Sequence, residues 1–567
     1  MCTHMTVTDS QSARTLINQY LATHAGISAL DVHIKDYPNE RNYIVFVARE
    51  DLGPASALSE PLEQALASPD QQSFVVFRVA NEELTKAEKA RTSVKSLSDP
   101  RISELVSLVS ARSRVSAADR SLGYVPDVRA SLSAVTAGRH HLIFGRRGAG
   151  KTALLVEAKS DVELRGAVTA WINIQTYRHE EPQRVVLYTL SKILGSLIAS
   201  RKLNANNPAS ITLSNVHNRI LSLLDKDSNT IKEVELLIPR VQGAISHHLE
   251  LTDSTIFVFL DDFYYVKRDF QPTILDLLHA ITRDSRVWLK VASIKHLTRW
   301  WLNSPPTGLQ TGQDAEIIDL DVSLQDPKQA QGFLETVLAG YGKRVGISSL
   351  SQIFSRAGLD RLVLASGAVP RDYLVLAASA VTRAQQRPSA RQVGVQEINQ
   401  AAGDAAATKI NELEEDMASN PGAAEKTIES LKVVRKFCLE KSSHTYFLVS
   451  FHDKEDNPLW YGSLTDLMDV RLIHLVDAGV SDAHSAGHRY EAYMLDLSQF
   501  SGARLKQRIR VLDFSSGSFV SRQTRGKEPP RVGSTSSRLR SILRAAPQLE
   551  LKELENVSLS QSDRNSN

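Results

Sequence analysis

The sequence predicts an α/β protein built on a parallel five-stranded sheet, with a helical region after it and smaller domains on either side. Three observations carry that prediction. Between about residues 121 and 324, short apolar runs alternate with helical stretches, as strands and helices do in a parallel sheet. The first of those runs, residues 141–144, leads into a glycine-rich loop that opens a helix: Gly145-Arg146-Arg147-Gly148-Ala149-Gly150-Lys151-Thr152. A later run, residues 254–260, is continuously apolar, as a strand buried on both faces must be, and ends in two acids, Asp261 and Asp262.

Taken in order, residues 1–120 read as a small α/β domain with a helical linker. A helix over 13–25 precedes two strand-like runs, 42–47 and 73–78, and a charged helical stretch follows at 82–114. No recognisable chemistry falls there, and its role is open. Tyr124-Val125-Pro126 marks the entry to the sheet domain, residues 121–324. Its strands are expected at 141–144, 167–174, 254–260, 287–293 and 315–320, with a long helical insertion over about 205–250. Residues 325–418 read as a helical lid, broken by Ser419-Asn420-Pro421-Gly422. A third region, 419–514, alternates helices and strands. Residues 515–567, rich in Ser, Arg, Gly and Pro, read as a basic, disordered tail.

At 567 residues the chain is too long for one core. Hydrophobic residues make up 42% and charged residues 23%, the balance of an ordinary globular protein. No apolar run approaches the ~18 residues of a membrane span. The two cysteines, Cys2 and Cys438, fit neither a disulfide framework nor a zinc site, which predicts a reducing, cytoplasmic setting.

The loop Gly145–Thr152 carries the chemistry. Its glycines let the backbone curl so that successive N–H groups face a polyphosphate, and the helix that follows adds its dipole. Lys151 is expected to reach the β- and γ-phosphates, and the Thr152 hydroxyl to ligate Mg²⁺. Asp261 stands where a carboxylate holds the metal shell, and Asp262 where one polarises an attacking water. Residues 145–152 therefore predict a site for a nucleoside triphosphate, with the choice between ATP and another nucleotide open.

With these residues the chain resembles the AAA+ ATPases, in the branch that includes origin-recognition initiators and the STAND signalling ATPases. The resemblance spans about residues 120–415. It implies ATP and Mg²⁺ as ligands and slow hydrolysis, because Asp262 is one methylene shorter than the glutamate usual in the family. It implies that Ser293 is a polar sensor between nucleotide and water, and that Tyr124, Val125 and Pro126 pack around the adenine. In Ser366-Gly-Ala-Val-Pro-Arg371 it implies a lid arginine, Arg371, that contacts the γ-phosphate. In a homo-oligomer, one of the partner readings left open, the candidates for an arginine supplied in trans are Arg299, Arg283 and Arg286, each of which reads first as a surface arginine with no such role.

Residues 424–497 order their elements as a winged helix does, with 463–470 as the recognition helix and 477–488 as the wing tip. That helix carries two Asp and no Arg or Lys, a poor surface for a phosphate backbone. Residues 501–545 lean the other way, with eleven basic side chains against two acids. A basic stretch of this kind either binds double-stranded DNA through counterion release or serves as a solubilising tail. His474, His484 and His488 are expected to be solvated loop residues. Two functions remain: a nucleotide-dependent switch that engages DNA, or a signalling or defence ATPase that oligomerises and acts on protein partners, the latter through the N-terminal domain.

Overall fold

The computed structural model describes residues 10–36, 40–48, 51–67, 72–79, 94–112, 124–125, 129–322, 324–387, 390–416, 421–481, 488–501, 509–515, 518–523 and 536–554. The chain divides into two compact units, Met1–Thr92 and Ser93–Asn567.

In the first unit the helix Ser10–Ala25 sets Ala13, Ile17 and Leu21 at helical spacing on one buried face, packed with Tyr43, Val45 and Val75. β1 (Asp31–Asp36) runs antiparallel to β2 (Glu40–Val47), which is parallel to β3 (Gln72–Val79). β2 and β3 are the two apolar runs of the sequence. β1 escapes prediction because it is an edge strand whose only apolar residues are Val32 and Ile34.

The second unit carries the parallel sheet. β4 (His140–Phe144), β5 (Val168–Asn173), β6 (Ile256–Asp261) and β7 (Val287–Ser293) are followed by a short antiparallel hairpin, β8 (Trp301–Asn303) and β9 (Pro306–Gly308), and then by β10 (Ala315–Asp319). The sheet order is β10-β4-β7-β6-β5, with every neighbour parallel. All six residues of β6 are buried, which is why the sequence shows an unbroken apolar run there. In register, Phe144 pairs with Ser293 and Asp319, and Asn173 with Asp261. The strand ends that bear the chemistry thus share one edge, where open α/β sheets bind ligands.

The lid consists of four helices, Pro327–Arg344, Arg356–Ser366, Pro370–Gln385 and Val395–Asp416. Local signals set their ends. Asp326 accepts from the Gln329 N–H ahead of Pro327, and Ser355 accepts from the Gly358 N–H. Gly367, at φ +57°, stops the second helix, and Pro370 starts the third. The helix Pro100–Arg112, expected to belong with the N-terminal region, instead buries Ile102, Leu105 and Val109 in the core that holds Leu334, Tyr373 and Ala377. Two hydrogen bonds tie its approach to the lid, Gln385 Nε2 to the Leu97 carbonyl at 2.8 Å and the Val94 N–H to Gln352 Oε1 at 3.0 Å.

The C-terminal region is winged-helix-like: a helix Pro421–Lys436, β11 (Tyr446–Ser450), helices Phe451–Asp456 and Pro458–Asp469, then β12 (Ile473–Ser481) and β13 (Arg489–Leu495), with sheet order β11-β13-β12. Part of the expected wing tip, residues 482–487 and with them His484, lies outside the described residues. His474 is no loop residue: it is buried on β12, in the mostly buried run Ile473-His-Leu-Val476.

The tail expected to be disordered is in part folded. β14 (Arg510–Ser515) and β15 (Ser518–Gln523) form a hairpin that buries Leu512, Phe514 and Phe519. After the helix Ser536–Arg544, the chain bonds to β11 through the Leu448 N–H to the Pro547 carbonyl and the Leu549 N–H to the Leu448 carbonyl, both at 2.8 Å. Leu543, Leu549, Leu551 and Leu554 are buried in one core with residues of the lid. Their apolar side chains, not the basic ones around them, decide the outcome.

Candidate nucleotide site

The loop after β4 is shaped by its glycines. Gly148 and Gly150 adopt φ +83° and +100°, which an L side chain resists. Gly148 also lacks room: a Cβ there would lie 2.8 Å from Cβ of Arg371 and 3.1 Å from Cγ1 of Val369. The first turn of the lid helix Pro370–Gln385 therefore sits on the loop, and the Arg371 N–H donates to the Gly148 carbonyl at 3.3 Å. Arg371, expected as the lid arginine, is brought to the loop by this contact.

Lys151 is buried at the start of the helix Lys151–Leu164, and its Nζ donates to the carbonyls of Gly145 and Arg146 at 2.7 and 3.2 Å. Burial pushes its pKa down, opposed by the charges of Asp262, Asp321 and Asp261. The Thr152 hydroxyl donates to Asp261 Oδ2 at 2.9 Å, and the Asp262 N–H donates to Asp261 Oδ1 at 3.0 Å. Asp262 stands at φ +57°, a turn forced where β6 leaves the sheet. Burial, with the neighbouring Asp262 charge, pushes Asp261 up to about 7, and burial raises Asp262 as well. Two carboxylates and a hydroxyl, all oxygen donors, suit a divalent cation such as Mg²⁺. Thr152 and Asp261 are the residues that could hold it.

Ser293 ends β7 at the same edge, fully buried. Thr298 gives its proton to the Ile294 carbonyl at 2.6 Å, so the Ser293 hydroxyl donates to Thr298 Oγ1, also at 2.6 Å. Its proton is thus committed to the turn, and a lone pair is what Ser293 can offer a ligand. Tyr124 packs on the cluster of Leu154 and Leu155 behind the loop, Val125 is half-buried, and Pro126 lies outside the described residues. Of the arginines considered for a role in trans, Arg299 lies 3.6 Å from Asp269 and Arg286 lies 2.5 Å from Asp253. Arg283 and Arg286 precede β7 and so lie at the sheet edge opposite the loop.

The structure adds residues that the sequence left unmarked. Asp321, just past β10, accepts from the Arg146 N–H at 2.8 Å, and Arg146 Nη2 reaches the carbonyls of Val322 and Gly367 at 3.0 and 3.4 Å. The only sequence signal for Asp321 is its place after the last strand of the sheet. The helix Pro458–Asp469, which spans most of the expected recognition helix 463–470, carries Asp466 and Asp469 onto His296 of the sheet domain; Asp466 Oδ1 lies 3.2 Å from His296 Nε2, and Asp469 contacts Nδ1. Burial alone would lower His296, but the two acids outweigh it and raise its pKa, while burial pushes Asp469 up to about 7.

No protein-family model matches the chain, and no curated protein sequence does. Solved structures with which it shares features include Orc1 of Aeropyrum pernix in complex with DNA (14% identity, 68% of this chain and 93% of that one, TM-score 0.33). Others are Cdc6p of Pyrobaculum aerophilum (16%, 64% and 87%, 0.29) and a RuvB variant of Thermotoga maritima (12%, 55% and 74%, 0.28).

Proposed function

We propose that this protein is a nucleotide-dependent switch of the AAA+ type that binds ATP with Mg²⁺ and hydrolyses it slowly. The observation that carries this reading is the 2.9 Å hydrogen bond from Thr152, at the end of the glycine-rich loop, to Asp261 at the end of β6, with Asp262 beside it. The backbone of residues 145–150 binds the phosphates, Lys151 pairs with their charge, and Thr152 and Asp261 hold the metal. Bound Mg²⁺ supplies neutralisation of the phosphate charge. Asp262, raised by burial, takes the proton of an attacking water, and Ser293 accepts a hydrogen bond that orients it. Arg371, already on Gly148, contacts the γ-phosphate and reports it to the lid. Tyr124 and Val125 line the base.

The output of the switch is engagement of duplex DNA through the winged-helix-like domain and the basic residues of 501–545. Among the described residues no helix is long and apolar enough to cross a membrane. One observation favours a second reading, a signalling ATPase acting on protein partners: the acids of the helix Pro458–Asp469 face His296 rather than a surface free for phosphates. The test is steady-state ATP turnover with and without duplex DNA, against Lys151→Ala. Turnover lost in the variant and stimulated by DNA supports the first reading. Turnover indifferent to DNA supports the second, and equal rates in variant and wild type overturn both.

A further inference from the structure

Arg471 closes a buried circuit of charges that joins three parts of the chain. It follows the helix Pro458–Asp469 in the C-terminal domain, is 2% exposed, and stands at φ +63°. A non-glycine residue is strained in that region and persists where its surroundings demand it. Its Nη1 lies 2.6 Å from Asp372 Oδ1 and donates to the Arg147 carbonyl at 3.5 Å. Asp372 follows Arg371 on the first turn of the lid helix, and Arg147 belongs to the glycine-rich loop. The Arg471 carbonyl accepts from Lys409 Nζ at 3.2 Å, and that ammonium lies 3.0 Å from Asp496 and 3.8 Å from Asp372. Asp496 in turn bonds His474 Nε2 at 2.7 Å.

The circuit is built into the backbone as well. A Cβ at Gly367 would fall 2.0 Å from Cε1 of His474, so this ring occupies the room the glycine leaves. The Gly367 carbonyl accepts from Arg146 of the loop on its other side. Buried charges are costly to strand, so removing one partner of such a set is far worse than never building it. A set complete in one arrangement alone therefore specifies that arrangement.

Its effect on the loop follows from the peptide bond. In a trans peptide the C=O and the next N–H point in opposite directions. Arg471 holds the Arg147 carbonyl from outside, which turns the Gly148 N–H the other way. The Arg371 N–H holds the next carbonyl, that of Gly148, while the Ala149 N–H is spent inside the loop on the Arg146 carbonyl at 3.1 Å. The C-terminal domain thus orients the Gly148 N–H, which faces away from it, and the lid fixes the peptide that follows.

We infer that Arg471 is a positioning residue of the nucleotide site: it aligns the Arg147–Gly148 peptide with the first turn of the lid, so that nucleotide affinity depends on the docked C-terminal domain. This rests on the reading of Gly145–Thr152 as a nucleotide site.

The experiment measures ATP and ADP affinity of the full chain by calorimetric titration, for wild type, Lys151→Ala, Arg471→Met, Arg471→Lys, Asp372→Asn and the Arg471→Met/Asp372→Asn double variant. The expected result is a loss of about tenfold in Arg471→Met. Arg471→Lys should recover part of it, and the double variant should bind no worse than Arg471→Met alone, since both changes cut one link. A merely structural arginine would give additive losses and no rescue by lysine. Wild-type affinity in Arg471→Met, with Lys151→Ala defective, overturns the inference and leaves the nucleotide site standing. Equal affinity in wild type and Lys151→Ala removes the site reading and the inference with it. If Arg471→Met shows no cooperative melt, Asp372→Asn decides: weakened binding supports the link, and unchanged binding refutes it.

Discussion

The ammonium of Lys151 bonds to two carbonyls of its own loop, at 2.7 and 3.2 Å, while burial disfavours its charge. A polyphosphate would exchange those carbonyls for full negative charges, which is why this side chain should dominate affinity. Lys151→Ala is expected to weaken ATP binding by at least about a hundredfold, measured by titration. Asp262→Asn should leave binding within a few-fold of wild type and reduce single-turnover hydrolysis by about 10²–10⁴. Lys290 gives a pH test away from the site. It lies inside the sheet, donating to the Ala137 and Arg139 carbonyls at 2.8 and 2.7 Å, and burial pulls it down to about 6. The unfolded chain, with an ordinary lysine at 10.5, then binds more protons between pH 6 and 10.5, so stability rises with pH across that window. Wild type should gain up to about 1.4 kcal/mol per unit there, and Lys290→Met should flatten the slope. Denaturant titrations at pH 7 and 9.5 read the difference.

At the scale of elements, the loop and the lid helix are fitted to each other through a missing side chain. Gly148→Ala places a methyl group 2.8 Å from Cβ of Arg371, in a backbone region that itself costs about 1–2 kcal/mol. The variant should keep its overall fold but lose the ATP-dependent protection of the lid against limited proteolysis. Protection equal to wild type would mean that the lid does not close on Gly148. The β14–β15 hairpin shows how an element can be read once its flanks are weighed: apolar residues at 511, 512, 514, 519 and 520 surround a Ser/Gly turn. Basic composition hid that pattern, although it had no bearing on the buried faces.

Across the whole molecule, lid, C-terminal domain and the last described segment share one core. Deleting residues 501–567 would strip Leu512, Phe514, Phe519, Leu543, Leu549, Leu551 and Leu554 from it. Each buried leucine is worth about 2–5 kcal/mol, and the total exceeds the ~5–15 kcal/mol by which a domain is stable. The truncated chain should therefore lack a cooperative thermal transition of the lid and C-terminal domain. For the same reason, DNA binding by the basic stretch is better tested by charge reversal at exposed Arg540 than by truncation.

By itself the sequence determined what depends on neighbours a few positions apart. The five strands, the loop Gly145–Thr152 and the acids after β6 were legible because strand burial, glycine torsion and helix starts leave marks within a dozen residues. Only the tertiary structure decided that Asp321 bonds the Arg146 N–H, that Pro100–Arg112 joins the lid, that His474 lies buried against Gly367, and that Arg471 reaches the loop. Each of these contacts joins residues far apart in the chain. Nothing periodic links an arginine to a carbonyl 324 positions away, because which polar groups pair in a core follows from how whole elements pack, and that is settled by burial of their apolar faces.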